Sequence, residues 1–178
     1  MQEVDLSAKL EKYIRDVKDF PIEGIIYKDI TPLLGAPAGL KLVVDRLHDY
    51  FKDQKVDYVA GIESRGFIFG PMLAERLGAG FVPIRKPGKL PWKTIARSYE
   101  LEYGTNTVEM HSDAIAPGSR VVMIDDLLAT GGTMSASCEM VRQLGGHIVG
   151  IGFVIELCFL PGRSKLAGYD VMSLLKVE

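Results

Sequence analysis

The chain has little of what metal sites, disulfide scaffolds and membrane spans require. Its 178 residues include only two cysteines, Cys138 and Cys158, and three histidines, His48, His111 and His147. No ligand spacing links the histidines, which argues against zinc. Both cysteines sit in apolar surroundings, so free buried thiols in a reducing cytosol are expected rather than a disulfide. Neither basic nor acidic residues are in large excess: 21 Lys+Arg against 23 Asp+Glu leave a net charge of −2. Such a balance gives no electrostatic case for nucleic acid or for an anionic membrane surface. No apolar run approaches the ~20 residues of a membrane span, and Ile148–Ile155 is interrupted by Gly150 and Gly152. The opening Met1-Gln2-Glu3-Val4-Asp5 has neither the basic region nor the apolar core of a secretory signal, so a cytoplasmic protein is expected. Two nucleotide signatures are missing as well. There is no G-x-x-x-x-G-K-[ST], and Gly150-Ile-Gly152 runs on to Val154 and Ile155 without completing G-x-G-x-x-G.

What remains is ordinary globular material, 47% hydrophobic and 25% charged, of a length that fits one domain over residues 1–178. Leu6, Leu10, Ile14 and Val17 keep helical spacing, and Phe20-Pro21 ends that pattern. Residues 22–34 read as irregular, with a short apolar run at Ile25-Ile26-Tyr27. Leu40, Val43, Val44, Leu47 and Phe51 mark a second helix. Tyr58–Ile62 and Gly80–Ile84 read as strands around a helical stretch to Leu77. A long connection, Lys86–Ser98, leads to a hairpin of Tyr99–Tyr103 and Thr107–His111 about Gly104. Arg120–Ile124, Ile148–Ile155 and Val171–Leu175 complete the strands, with a helix between the first two that Gly145-Gly146 stops. Strands alternating with helices predict an α/β fold with a central, mainly parallel sheet flanked by helices. Residues 1–34 would form a small N-terminal hood over the carboxyl ends of the strands, where such folds bind ligands.

The richest segment is Val121-Val-Met-Ile-Asp-Asp-Leu-Leu-Ala-Thr-Gly-Gly-Thr133. Four apolar residues form a buried strand that ends in Asp125 and Asp126. A turn of small residues, Ala129, Thr130, Gly131, Gly132 and Thr133, leads into a helix. Strand, turn, helix aims free backbone N–H groups at an anion, and the helix start carries roughly +0.5 charge. The carboxylates beside it suit hydroxyls instead of phosphate, each charged hydrogen bond contributing about 1.5–3 kcal/mol. Together they call for a sugar phosphate. A strand-ending Asp126 and a helix-capping Thr133 would explain one acid and one threonine, not the adjacent acids with the whole turn.

This stretch resembles the phosphoribosyl-pyrophosphate (PRPP) motif of the type I phosphoribosyltransferases, in the form typical of the adenine phosphoribosyltransferases. Gly61-Ile-Glu-Ser-Arg-Gly-Phe67 matches the same family's pyrophosphate-side loop. From the residues alone, Arg65 is as well explained by a structural ion pair as by a pyrophosphate clamp; the resemblance implies the clamp, with Glu63 and Ser64 beside it. Between Arg85 and Tyr99 lie Arg85, Lys86, Lys89, Lys93 and Arg97 and no acid, and long loops of this kind are often lids. Arg85-Lys-Pro-Gly-Lys-Leu-Pro91 is similar to the family's flexible loop, which implies that Arg85, Lys86 and Lys89 close over the pyrophosphate. Trp92 is expected to pack. A lone Glu102 would be a solvated strand residue; the family's L-E-Y-G motif gives it a proton-handling role near the base, and it joins Arg65 as a catalytic candidate. Phe20–Thr31 looks like the family's adenine-binding hood, with Ile26 and Tyr27 flanking the purine and backbone groups at Ile26 and Lys28 bonding its edge. Tyr27 and Lys28 stand where phenylalanine and arginine are frequent.

The resemblance runs from about Phe20 to the C-terminus and implies the type I phosphoribosyltransferase fold. It also implies transfer of a phosphoribosyl group from PRPP to adenine, with Mg²⁺ bound mainly through substrate and water, and a homodimer. Two rivals stay open on these residues: an enzyme acting on a 6-oxopurine or orotate, which the same loop would serve, and a non-enzymatic PRPP sensor. A sensor should carry a DNA-binding domain, and the ~20 residues before Phe20 are too few and too acidic for one.

Overall fold

The computed structural model describes residues 3–100 and 104–178. In chain order the elements are α1 (Glu3–Glu11), β1 (Arg15–Lys18), β2 (Ile26–Asp29), α2 (Thr31–Gly35), α3 (Pro37–Phe51), β3 (Tyr58–Ile62), α4 (Gly66–Leu77) and β4 (Gly80–Ile84). They continue with β5 (Thr94–Glu100), β6 (Thr105–His111), β7 (Arg120–Leu128), α5 (Gly132–Gln143), β8 (His147–Leu157), α6 (Gly162–Lys165) and β9 (Val171–Val177). A five-stranded sheet in the order β4-β3-β7-β8-β9 is parallel throughout. The expected α/β architecture is therefore present.

Alternation along the strands explains the two cores. In β7, Val121 and Met123 point to one face, against Met134, Cys138 and Val141 of α5. Val122 and Ile124 point to the other, against Val43, Leu47 and Phe51 of α3 and Phe69 and Leu73 of α4. A strand buried on both faces reads as the continuous apolar run seen here. The strand order also has a consequence for binding. From β3 the chain moves outward to β4, whereas β7 lies on the other side of β3 and leads to β8 and β9. The order reverses between β3 and β7, and a crevice opens at such a switch point beyond the strands' carboxyl ends.

Four local expectations need correction. The first helix ends at Glu11, and Val17 instead pairs with Tyr27 in the antiparallel β1–β2 ribbon. The 22–34 segment, expected to be irregular, supplies β2 and α2. The connection after β4 is shorter than its composition suggested, because β5 starts at Thr94 and pairs with β6 from Thr94↔His111 to Glu100↔Thr105. Finally, β7 does not stop at the acid pair. Its partner β8 is long enough to keep it extended, pairing Leu127 with Ile155 and Leu128 with Glu156.

Candidate active site

The crevice at the β3/β7 switch point is a cavity of about 680 Å³. Two helices begin at its rim. α4 starts after β3 and α5 after β7, and neither has a side-chain cap at its first turn. In α4 the first-turn N–H groups of Phe67 and Ile68 are taken by the Ser64 and Arg65 carbonyls at 3.2 and 3.1 Å, whereas in α5 the first bond runs from Ser135 to Gly131, so α5 gives the crevice its positively polarised edge. At the start of α5, Gly131 adopts φ +75, and a Cβ there would lie 2.6 Å from the Gly162 carbonyl oxygen. Only glycine lets the turn both take that shape and rest on the start of α6. Ala129 and Thr130 complete the turn, half-buried. Thr133, in the first turn of α5, reaches the cavity and donates its hydroxyl to the Tyr99 oxygen at 2.8 Å.

Asp125 and Asp126 line the same cavity from the end of β7. Asp126 is 3% exposed, and its Oδ2 lies 2.8 Å from Nε of Arg65. Asp125 Oδ1 accepts the backbone N–H of Asp126 at 2.9 Å. Burial raises the Asp125 carboxyl well above the ordinary range, and the charge of Asp126 adds to the effect. Burial also raises Asp126, against the opposing pull of the Arg65 guanidinium. This pair is reluctant to carry two charges, so it favours neutral hydroxyl partners over further anions.

Arg65 has two engagements. Its Nε holds Asp126, and its Nη1 donates to the Tyr27 hydroxyl, with the guanidinium 5.3 Å from the Tyr27 ring centre. Both explanations of Arg65 thus apply in part: an ion pair exists, and the residue faces the cavity. Glu63 holds Arg85 with two bonds of 3.1 and 3.0 Å and accepts the Lys86 backbone N–H at 3.1 Å. The Arg85 guanidinium holds the Glu63 carboxyl below the usual range. Glu63 therefore anchors the root of the basic loop. The loop is further tied by Arg85 to the Lys89 carbonyl at 3.0 Å and by Gly88 N–H to Glu109 at 3.1 Å.

Of the residues singled out from sequence, the structure gathers Tyr27, Glu63, Ser64, Arg65, Arg85 and Lys86 around the cavity with Asp125, Asp126 and Thr133. Others lie off its wall. Lys89 is exposed on the loop, and Lys28 turns away to bond Asp16 at 2.7 Å. Ile26 is 52% exposed and, as a strand neighbour of Tyr27, faces the opposite side of β2. Trp92, expected to pack, is 63% exposed. Cys158 is only half-buried, unlike Cys138, and both are free thiols. Arg97, counted with the basic loop, lies in β5 and pairs with Glu139 at 3.5 Å. Glu102 lies outside the described residues. Sequence reasoning missed Tyr99 and the β6 residues Thr105–Thr107, which also line the cavity. The consecutive polar residues Thr105-Asn106-Thr107 beside a hairpin turn were the signal available.

Among the described residues no three His, Cys, Asp or Glu side chains could hold a metal ion, and no helix is long and apolar enough to cross a membrane.

A parallel sheet with a small-residue turn and an acid pair at its switch point is the arrangement of the phosphoribosyltransferases. Residues 31–169 match the model of the phosphoribosyl transferase domain. The adenine phosphoribosyltransferase of Halothermothrix orenii is 56% identical over 168 residues, 94% of this chain and 99% of that protein. The crystal structure of adenine phosphoribosyltransferase from Thermoanaerobacter pseudethanolicus superposes with a TM-score of 0.93 at 50% identity, covering 96% of this chain and 99% of that one. The Saccharomyces cerevisiae enzyme, complexed with an imino-altritol bisphosphate and adenine, superposes at 0.90 with 41% identity over 97% and 99% of the two chains. The chain belongs to the adenine phosphoribosyltransferase family.

Proposed function

We propose that this protein transfers the phosphoribosyl group of PRPP to adenine, giving AMP and pyrophosphate, as a step of purine salvage. The observation that carries the reading is the convergence of the open start of α5, an acid pair and a basic loop on one 680 Å³ crevice. The turn of Ala129, Thr130, Gly131, Gly132 and Thr133 takes the 5′-phosphate on its N–H groups and hydroxyls. Asp125 and Asp126 take the ribose hydroxyls. Arg65 spends Nε on Asp126 and Nη1 on Tyr27, which leaves Nη2 as the edge that meets the diphosphate. Ser64, Arg85 and Lys86 surround that same group, with Glu63 fixing Arg85, and Lys89 reaches it when the loop closes.

Displacement at the ribose C1′ passes through a state with oxocarbenium character. The protein's work is to hold the ribose at a fixed angle, exclude water and match the charge gathering on the departing pyrophosphate. Two of the three acids that line the cavity are already paired, Asp126 with Arg65 and Glu63 with Arg85, and the third, Asp125, accepts the Asp126 backbone N–H. That donor set fits a Mg²⁺ carried mainly by diphosphate oxygens and water, not a protein cage; when bound, the ion neutralises leaving-group charge. Glu102 hydrogen-bonds purine N7 and manages its proton, a role that rests on the family motif. Tyr27 supplies an aromatic surface for the base, Ile26 covers its other face once the hood closes, and the backbone at Ile26 and Lys28 reads its edge. Residues 1–178 act as one catalytic domain, with 1–34 as the hood. The assembly is a homodimer in the cytoplasm, which suits the two free thiols.

Base choice tests this reading. Adenine presents an N6 donor beside an N1 acceptor, and a 6-oxopurine reverses that pattern. A buried site built for one rejects the other by as much as ~10⁴-fold. With Mg²⁺ and PRPP, pyrophosphate release is expected with adenine and not with hypoxanthine or guanine. Comparable kcat/KM for adenine and hypoxanthine would refute the base assignment.

A further inference from the structure

We propose that Tyr99 is a further ligand of the sugar's 5′-phosphate, and that this contact sets the β5–β6 hairpin over the site. The proposal rests on the reading that the turn before α5 holds that phosphate. Tyr99 belongs to β5, outside the PRPP motif, yet its ring lies on the first residue of α5. A Cβ on Gly132 would come within 2.9 Å of Tyr99 Cδ2. The second glycine of the turn therefore makes room for a tyrosine ring from another part of the chain.

The hydroxyl geometry then assigns a direction. Thr133 Oγ1 donates to the Tyr99 oxygen at 2.8 Å. A phenol has one proton to give, and here its oxygen already accepts. The Tyr99 proton is left to point outward, into the cavity that both residues line. No side chain caps α5, so an anion seated there meets the helix N–H groups and the phenol together. A phenol donating to a phosphate oxygen forms a short, charge-assisted bond.

The same contact reaches the hairpin. β5 and β6 form a two-stranded sheet of their own, outside the main sheet. Arg97 pairs with Glu139 of α5 at 3.5 Å, and Arg85 exchanges backbone bonds with Glu109 of β6. Among the described residues, Tyr99 is the hairpin residue nearest the turn with a hydrogen bond to α5. A phosphate bound to its hydroxyl therefore fixes the end of β5 at Tyr99 and Glu100. Phosphate occupancy and hairpin position become one event.

Tyr99→Phe keeps the ring on Gly132 and deletes only the hydroxyl, so the melting temperature should hold. The test uses the full chain and two probes, ribose 5-phosphate and inorganic pyrophosphate, in equilibrium titrations. The expected result is a loss of ribose 5-phosphate affinity of about 10- to 100-fold, with pyrophosphate affinity unchanged. In steady state, KM for PRPP should rise while KM for adenine stays. Ribose 5-phosphate should slow amide exchange across residues 97–100 in the wild type and not in the variant. A merely structural tyrosine would weaken both probes alike or neither, and either outcome overturns the proposal. If the wild type turns over PRPP and adenine but Tyr99→Phe binds ribose 5-phosphate normally, this proposal fails and the functional reading stands. If the wild type binds neither PRPP nor ribose 5-phosphate, the functional reading fails first.

Discussion

Gly131→Ala asks whether the shape of the turn, as distinct from its hydroxyls, makes the phosphate site. Gly131 has φ +75, and its Cβ would lie 2.6 Å from the Gly162 carbonyl oxygen and 3.0 Å from Gly162 Cα. Both are backbone atoms with nowhere to go, because a Cβ on Gly162 would itself come within 2.2 Å of the Ala129 carbonyl oxygen. Left-handed backbone costs an alanine roughly 1–2 kcal/mol. A forced contact in packed structure adds roughly 1–3 kcal/mol. Together they amount to about 2–5 kcal/mol, and a chain of this size loses about 2–4 °C of Tm per kcal/mol. Gly118→Ala isolates the first cost, since Gly118 has φ +85 and open space around its Cβ position. Gly131→Ala should therefore melt well below Gly118→Ala. If the turn yields instead, the N–H groups of α5 shift, and PRPP affinity should drop by tenfold or more. Thermal melts and PRPP titrations of both variants read the two possibilities. Equal Tm losses, with PRPP affinity of Gly131→Ala intact, would refute the argument.

Asp125→Asn should separate stability from function. The folded carboxyl sits above its ordinary range, so the fold prefers it protonated and its charge is a burden at neutral pH. The variant should be more stable at pH 7, by about 0.5–2 kcal/mol, with the gain fading as pH falls toward ~4, where the unfolded carboxyl also protonates. PRPP affinity should fall at the same time, and a variant that melts lower at pH 7 or binds PRPP normally would contradict this. The buried Glu156, held by Arg163 at 2.6 Å, behaves in the opposite sense. Arg163 keeps its carboxyl below the usual range, so the pair stabilises above pH ~4.5 and its contribution is lost as pH falls through the lowered value. Arg163→Ala should cost about 3 kcal/mol, the low end for a broken buried pair because the Arg163 side chain is 46% exposed; denaturant melts that show the same loss at pH 7 and pH 3 would be inconsistent with it. Neutralising Lys86 and Lys89 should lower kcat, and PRPP should protect the Pro87–Thr94 segment from proteolysis. Equal cleavage with and without PRPP would make the segment an ordinary loop.

The sequence by itself determined the parts that local chemistry dictates. A buried apolar run, two acids and a small-residue turn admit few structures, and they carried the strand, the turn and the helix that follows it without tertiary information. Helical spacing in Leu40–Phe51 and the helix stop at Gly145 worked for the same reason, because 3.6-residue periodicity and a left-handed glycine are local properties. Periodicity misled where a short segment's partner overrode it. Ile14 and Val17 continue a helical pattern, yet Val17 lies in β1 because β2 is there to pair with it. Nor could composition show that β7 runs past its acids, since the length of β8 decides that. The tertiary structure alone decided who faces whom. Arg65 and Asp126 are far apart in sequence, and an ion pair between them depends on β3 and β7 being neighbours in the sheet. Likewise the basic loop contains no acid, but folding brings Glu63 and Glu109 to it. Tyr99 on Thr133 is the clearest case: nothing in either local pattern marks them as partners, and only the docking of the β5–β6 hairpin on α5 brings the two hydroxyls to 2.8 Å. Local patterns encode what a residue's own neighbours on the chain impose, whereas contacts across the sheet depend on the topology that brings distant strands together.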